Sequence, residues 1–354
     1  IEDEGFDNGV LVNQPHFQTD PLDESVIYSF KITAINAGGE SFPSEILSAC
    51  KLDNDNTPVL IVNAFDRISA AATIESEKYL GFVDLLDEGV SDGMDMNYIG
   101  SQYDILADSP WMDDDEPGHG ASFGNFETTL IPGNSFDFPY IHGSSLRGAG
   151  YSFVSCSDEA VETGNINLSN YTSLDIILGE EKEVSGPKES TPRAFRGFTK
   201  ELQDQLTPYL EGGGNLFVSG AYVGFDLFDN SNDSLDMKFG EEVLKFRFRT
   251  DHAVKTGGLA SYNSDFFTMN TTSPLVFNTR VHPSIYKVES PDAIEPVGEE
   301  AHTILRYTEN NTSAAIAATG TSQIVVFGFP FETITSEKSR DEVMKSILLF
   351  LDDK

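Results

Sequence analysis

The chain is short of several things, and each shortage removes a class of function. Of its 354 residues, 22 are Lys or Arg against 58 Asp or Glu, a formal net charge of −36. The acidic residues are spread along the chain, so phosphate backbones and anionic lipid surfaces meet repulsion on most approaches, which excludes nucleic acid as a partner. Cysteine is scarce too: Cys50 and Cys156 lie far apart and outside any CxxC spacing, so a cysteine-based zinc or redox motif is excluded. They read as small buried hydrophobes, with a disulfide left open. No apolar run approaches the roughly 18 to 20 residues of a membrane span. The histidines, His142 in "YIHGSS" among them, form no HExxH or HxH pattern, and zinc finds no support. Acidic loops are present, "SDGMDMN" with Asp92, Asp95 and Asn97, and "MDDDEPGHG" with His119. Neither matches the DxDxDG spacing of a calcium loop, and both read as solvated acidic loops. The expectation is no metal and no cofactor. The first residues, "IEDEGFDNG", carry neither an initiating Met nor a basic-then-apolar leader, which reads as a segment of a longer parent chain whose other domains are its neighbours.

What is present is ample material for a core, 39% hydrophobic residues with 26 Phe, and a length of about two domains at roughly 150 residues each. In "VIYSFKITAINAGGESFPSEILSA" (Val26 to Ala49), Val26, Tyr28, Phe30, Ile32 and Ala34 alternate with Ile27, Ser29, Lys31 and Thr33, the period of a strand. The run Asp53 to Pro58 is polar, ends in Pro and reads as a linker. Beyond it the texture changes. "PVLIVNAF" (Pro58 to Phe65) is a near-continuous apolar run, the mark of a strand buried on both faces. Tyr79, Phe82, Val83 and Leu86 have the spacing of a helix face. "SLDIILG" (Ser173 to Gly179) is a strand, and Phe195, Phe198, Leu202, Leu206 and Tyr209 mark a helix that stops at Gly212 to Gly214. "NLFVSG" and "SQIVVFGF" are further strands, the second followed by a helix carrying Val343, Ile347, Phe350 and Leu351. This alternation predicts an α/β domain over 53–354, a doubly wound, mostly parallel sheet with helices on both faces. It is interrupted by long insertions near 88–172 and 230–296, the first expected to pack as a lid or wall over the strand ends.

Two family resemblances follow. Tyr28, Ala34, Asn36, Gly38, Glu40 and Ser41 closely resemble the last two strands of a fibronectin type III module, so residues 1–52 read as the C-terminal part of such an all-β module, short of the seven strands it needs. In "SGAYVG" the glycines Gly220 and Gly224 flank Tyr222, and the stretch resembles the elbow of class I glutamine amidotransferase-like (flavodoxin-like) domains, where the middle residue is a cysteine nucleophile. "VVFGFPFE" resembles the last strand of those domains, which ends in Phe, His, Pro, Glu in active members. Here Glu332 stands at the glutamate position, while Pro330 and Phe331 stand where His and Pro would be. With thiol and base both absent, glutamine hydrolysis by that route is not expected, since a phenol with a pKa near roughly 10 is a poor acyl nucleophile.

Ligands of an open α/β sheet collect outside the carboxyl ends of its strands, which singles out Asp66 and Arg67 after the first strand, Glu180 and Glu181 after the second, Ser219 and Tyr222 at the third, and Glu332 after the fourth. Tyr222, Glu180 and Glu332 are the candidate catalytic groups, and Asp66, Arg67, Glu181 and Ser219 the candidate ligand contacts. Tyr222 is either a packing tyrosine at the turn or a ligand contact and proton donor. Glu180 and Glu181 form an acid and base pair only if their environments split their pKa values. Asp66 and Arg67 are either a loop-ordering ion pair or a site for a sugar or carboxylate. The whole layout resembles secreted multidomain proteins of Bacteroidetes labelled xanthan lyase. That resemblance implies a secreted, periplasmic or cell-surface location and a polysaccharide or glycan as partner, handled in a cleft at the strand ends. Polysaccharide elimination would need a uronate neutraliser and a base, roles that Arg67 and Tyr222 fill only if they face one cleft. The competing reading is a catalytically inactive scaffold or interaction domain of a larger surface protein.

Overall fold

A computed structural model describes residues 6, 9–37, 39–40, 44–65, 137–183 and 196–353, less 232, 263, 265, 281–284 and 289, together with four short strands between 72 and 131. Along the chain the strands are β1 (Tyr28–Phe30), β2 (Ile35–Asn36), β3 (Gly39–Glu40), β4 (Leu47–Ala49), β5 (Val59–Asn63), β6 (Ala72–Glu75), β7 (Leu80–Val83), β8 (Met94–Asp95), β9 (Leu130–Ile131), β10 (Phe153–Ser157), β11 (Ser173–Gly179), β12 (Asn215–Gly220), β13 (Phe246–Thr250), β14 (Gly258–Ser261), β15 (Leu275–Val276), β16 (Ala293–Pro296), β17 (Ala301–Tyr307), β18 (Ser313–Ala318) and β19 (Ile324–Phe327). The α-helices are α1 (Phe138–Gly148), α2 (Asp158–Glu162), α3 (Lys200–Glu211), α4 (Phe225–Phe228), α5 (Ser234–Lys238) and α6 (Glu337–Leu351).

Nine strands form one mixed sheet in the order β10-β5-β11-β12-β19-β18-β17-β14-β15. The first five are parallel to their neighbours and the rest are antiparallel. Counted along the chain, the parallel strands stand second, first, third, fourth, fifth, so the winding reverses between β5 and β11. That reversal is where an open α/β sheet forms its crevice. Burial on both faces explains the apolar runs: in β5, Val59 and Ile61 enter one core while Leu60 and Val62 enter the other. The first core is closed by Phe138 and Leu146 of α1 and by Val343, Ile347 and Leu351 of α6, and the second by Val161 of α2 and by Leu202 and Leu206 of α3. The sheet is thus doubly wound.

Three expectations need correction. The sheet is mixed rather than mostly parallel, because β14, β15, β17 and β18 extend it antiparallel beyond β19. Strand β18, "SAAIAA", is buried along its whole length yet has almost no β-branched residues, so its composition hides it. The helix expected from Tyr79 to Leu86 is replaced over Leu80–Val83 by a strand paired with Ala72–Glu75; four apolar residues are too few to decide a period, and Phe and Val favour strands. Within the span 88–172 expected as an insertion, α1 and β10 are integral to the sheet. Pro139, Gly143 and the pair Ser144 and Ser145 made α1 read as loop, and its Gly143 is required because a Cβ there would lie 2.1 Å from the Phe153 ring.

At the other end of the fold, Cys50 and Phe153 exchange backbone hydrogen bonds of 2.9 Å, and Ser155 Oγ donates to Ser48 C=O at 2.7 Å. The segment after β4 therefore lines the free edge of β10, which protects an edge that would otherwise pair with other chains. Cys50 packs in the first core and Cys156 in the second. With the sheet between them, both thiols are free.

Candidate functional site

The turn after β12 is built by close approach. A Cβ on Gly220 would lie 2.6 Å from Leu178 Cβ, and one on Gly224 would lie 3.0 Å from Phe248 Cδ2. The two glycines are therefore needed for packing, whatever residue stands between them. Tyr222 is not among the described non-glycine residues with positive φ, which are Ser25, Lys245, His252 and Asn311. A working nucleophile elbow holds its reactive residue on a strained turn, and this turn lacks that strain. Tyr222 is 6% exposed and belongs to the first core.

The backbone donors just after the turn are already engaged. Asp292 Oδ2 accepts from the N–H groups of Gly224 (2.7 Å) and Phe225 (2.8 Å). A free pair of N–H groups at such a place is what would receive an anion or oxyanion; here the protein's own carboxylate fills it. Burial pushes the Asp292 carboxyl well above the usual carboxylate range, against the pull of those two bonds. Asp226, the next acidic group, ties the neighbouring loops by accepting from Glu183 N–H at 2.8 Å and Asn230 Nδ2 at 3.2 Å. Its burial raises its pKa to about 7.

Glu332 lies at the base of a buried network that spacing along the chain does not reveal. His142 Nδ1 lies 2.9 Å from Asp175 Oδ2 and its Nε2 lies 3.3 Å from Glu332 Oε2, while the Tyr286 hydroxyl donates to Glu332 Oε1 at 2.7 Å. All four residues are buried. Burial works against a charge on His142, but Asp175, and after it Glu332, overcome that cost and raise its pKa to about 9. The ring is an imidazolium held between two carboxylates, edge-on to Phe331 at 4.7 Å. Both its nitrogens are occupied, so it has none left for a substrate, and a histidine that is charged at neutral pH is no general base. Above this network the strand ends are filled by aromatic rings. Phe65 stacks on Phe138 at 5.3 Å, Tyr286 meets both rings, and Gly179, at φ +53°, lies so close that a Cβ would stand 2.3 Å from Phe65.

The remaining candidates are placed as follows. Glu180 and Glu181 are both buried, at 0% and 2% exposure, so neither carboxyl of the expected acid and base pair meets solvent. Ser219 is buried on the strand, directly beside Ile177 of β11, and Asn63 flanks the same Ile177 from β5. Ser219 Oγ, Asn63 Oδ1 and Asp175 Oδ1 have no hydrogen-bond partner among the described residues. Asp66 and Arg67 lie outside the described residues, as do the acidic loop around His119 and the side chains of Asp92, Asp95 and Asn97. Among the described residues no group of three or more His, Cys, Asp or Glu is arranged to hold a metal ion.

In the sequence His142 stands out only as a histidine outside any zinc pattern, and Asp175, Tyr286 and Asp292 do not stand out as site residues. Only one signal was available for them, polar residues embedded in apolar strands and helices, as Asp175 is in "SLDIILG". A second constellation also emerges: Ser290 Oγ is 2.5 Å from His252 Nδ1, and Asp251 Oδ2 is 3.1 Å from the same atom. A Ser-His-Asp relay requires serine on one ring nitrogen and aspartate on the other. Here both converge on Nδ1, and Ser290 is fully buried, so the cluster is a hydrogen-bonded corner that supports the left-handed backbone of His252 at φ +44°.

No family model matches the chain, and no curated protein matches it. Among solved structures, an exo-beta-1,4-mannosidase from Opitutaceae bacterium strain TAV5 superposes with a TM-score of 0.36 at 12% identity, over 58% of this chain and 30% of that one. This chain thus spans under a third of that structure, and so slight a likeness bears on neither fold nor function. No helix among the described residues is long and apolar enough to cross a membrane.

Proposed function

We propose that this chain is a catalytically inactive, amidotransferase-like α/β domain that serves as a scaffold or interaction module in a larger secreted or cell-surface protein, preceded by the closing strands of a fibronectin type III-like module. The strand order, with its reversal beside β5, and the glycine-spaced turn after β12 support the family part of this reading. The observation that carries the functional part is the engagement of Glu332, whose two oxygens are taken by His142 and Tyr286 in a buried cluster. Its expected companions Tyr222 and Glu180 are buried as well. A polysaccharide cleft at the strand ends needs these side chains to meet solvent, so the scaffold reading is the better supported of the two. A glycan as a partner of some other surface remains compatible with it.

The test is an assay of the purified chain for glutamine hydrolysis and for chain cleavage across neutral and uronate-containing polysaccharides, alongside Tyr222→Phe and Glu332→Gln. No turnover is expected from any of the three, with Glu332→Gln losing stability. Turnover by the unaltered chain that either substitution abolishes, with folding intact, overturns the proposal.

A further inference from the structure

The segment leaving β11 folds back over the turn that follows β12. Ala221 N–H donates to Gly179 C=O at 2.8 Å, and Glu183 N–H donates to Asp226 Oδ2 at 2.8 Å. Lys182, held between these two anchors, places its ammonium 5.3 Å from the ring centroid of Tyr222 and 5.3 Å from that of Phe225. The rings meet edge to face at 5.9 Å, and Phe225 meets Phe248 in the same manner at 6.2 Å. Lys182, Phe225 and Phe248 are half-buried and reachable from solvent, while Tyr222, beneath the lysine, is buried.

From this geometry we infer that the turn is an aromatic site for an alkylammonium cation, occupied in this state by the chain's own Lys182. Ring faces within about 6 Å of an ammonium attract it through their quadrupole, the more strongly the more the contact is desolvated. Two features single out this place. The rings are presented rigidly, because the Gly224 and Phe225 N–H groups are fixed on Asp292. The surroundings also favour a cation, with Glu181 and Glu183 on either side of Lys182 in the sequence and a net charge of −36 over the whole chain, which concentrates cations at the surface. A lysine side chain or quaternary ammonium head presented by a partner would compete with Lys182 for the same faces, so the residue acts as a built-in plug. The inference gives the interaction-module reading a ligand chemistry and rests on it. The two fail separately, because turnover would remove that reading without altering a binding measurement, and absence of binding would leave it standing.

The probe is tetramethylammonium, titrated into the unaltered chain, Lys182→Ala and the double variant Lys182→Ala with Phe225→Ala. Binding is followed by ligand-observed NMR, with tert-butanol as the neutral isostere and circular dichroism as the check on folding. The expected result is binding to Lys182→Ala that is at least about tenfold tighter than to the unaltered chain, in keeping with removal of a tethered competitor. It should be lost in the double variant and absent with tert-butanol. Lys182→Gln, which keeps the stem and removes the charge, repeats the measurement if the alanine variant is misfolded. Equal affinity with and without the Lys182 ammonium, retention of binding in the double variant, or equal binding of tert-butanol overturns the inference.

Discussion

Replacing His142 by Gln removes the one buried cation between Asp175 and Glu332, and the consequence can be worked out from the geometry. An ordinary imidazole titrates at 6.5 and this one at about 9, so its protonation in the fold is worth ~3 kcal/mol at ~1.36 kcal/mol per pH unit. The folded pKa lies above the unfolded one. The contribution is therefore fully present below about pH 6.5 and is lost as pH rises through about 9, falling by ~2.5 kcal/mol between pH 7 and pH 10. The groups facing the ring are Asp175 from β11, Glu332 from the turn after β19 and, through Glu332, Tyr286 and Arg340. Glutamine leaves two buried carboxylates without their counter-charge, which costs ~3 to 5 kcal/mol at neutral pH. Urea unfolding of both proteins from pH 6 to pH 10 checks this. The difference between them isolates His142 from the thiols and phenols that titrate in the same range, and it should be largest at pH 6, shrink steadily from about pH 6.5 to about pH 9 and level off above that. A difference that stays constant with pH, or a variant as stable as the unaltered chain at pH 6, refutes the charged-clamp argument.

Other outcomes follow from the packing. Both cysteines should be silent to a thiol reagent in the native protein and should both react on denaturation, since burial raises the Cys50 thiol and holds that of Cys156 at about 12; one fast-reacting thiol in the folded state would contradict their placement in two cores. Gly220→Ala should cost ~1 to 3 kcal/mol in a urea melt and more than Gly224→Ala, because the new Cβ meets Leu178 Cβ at 2.6 Å in the first case and the edge of the Phe248 ring at 3.0 Å in the second; the reverse order would show that the turn is not held by its approach to β11. Ser219→Ala distinguishes two states of a buried hydroxyl: if Oγ holds an internal water, its loss lowers stability by ~1 kcal/mol, whereas a hydroxyl with no partner would be removed at no cost or with a gain. We expect the loss, read as a lower urea midpoint at unchanged slope.

The parallel half of the fold was legible because its strands are buried on both faces. "PVLIVNAF", "SLDIILG" and "NLFVSG" are mostly apolar; the last two agree with their observed strands residue for residue, while the first, expected over Pro58 to Phe65, is a strand over Val59–Asn63. The helix ending at Gly212 was legible for a related reason: the interval between Leu202 and Leu206 and the glycine stop are both local properties. Strand β10 and helix α1 were not legible, since serines, a proline and a glycine give no period. Only their neighbours, β5 on one side and Phe153 packed under Gly143, make the segment a strand and a helix.

For the site, the sequence by itself determined which chemistry is missing. No thiol stands at the turn and no histidine in the last strand, and residue identity alone decides that. It also determined where the candidates would gather, because strand ends are a consequence of the alternating pattern. Which groups touch was decided by the tertiary structure. His142 and Glu332 are separated by 190 positions and Gly224 and Asp292 by 68, and no local rule relates them. Burial was decided at the same level: whether a carboxylate such as Glu332 meets solvent or an imidazolium depends on what folds over the strand ends, and here Phe65, Phe138 and Tyr286 cover them.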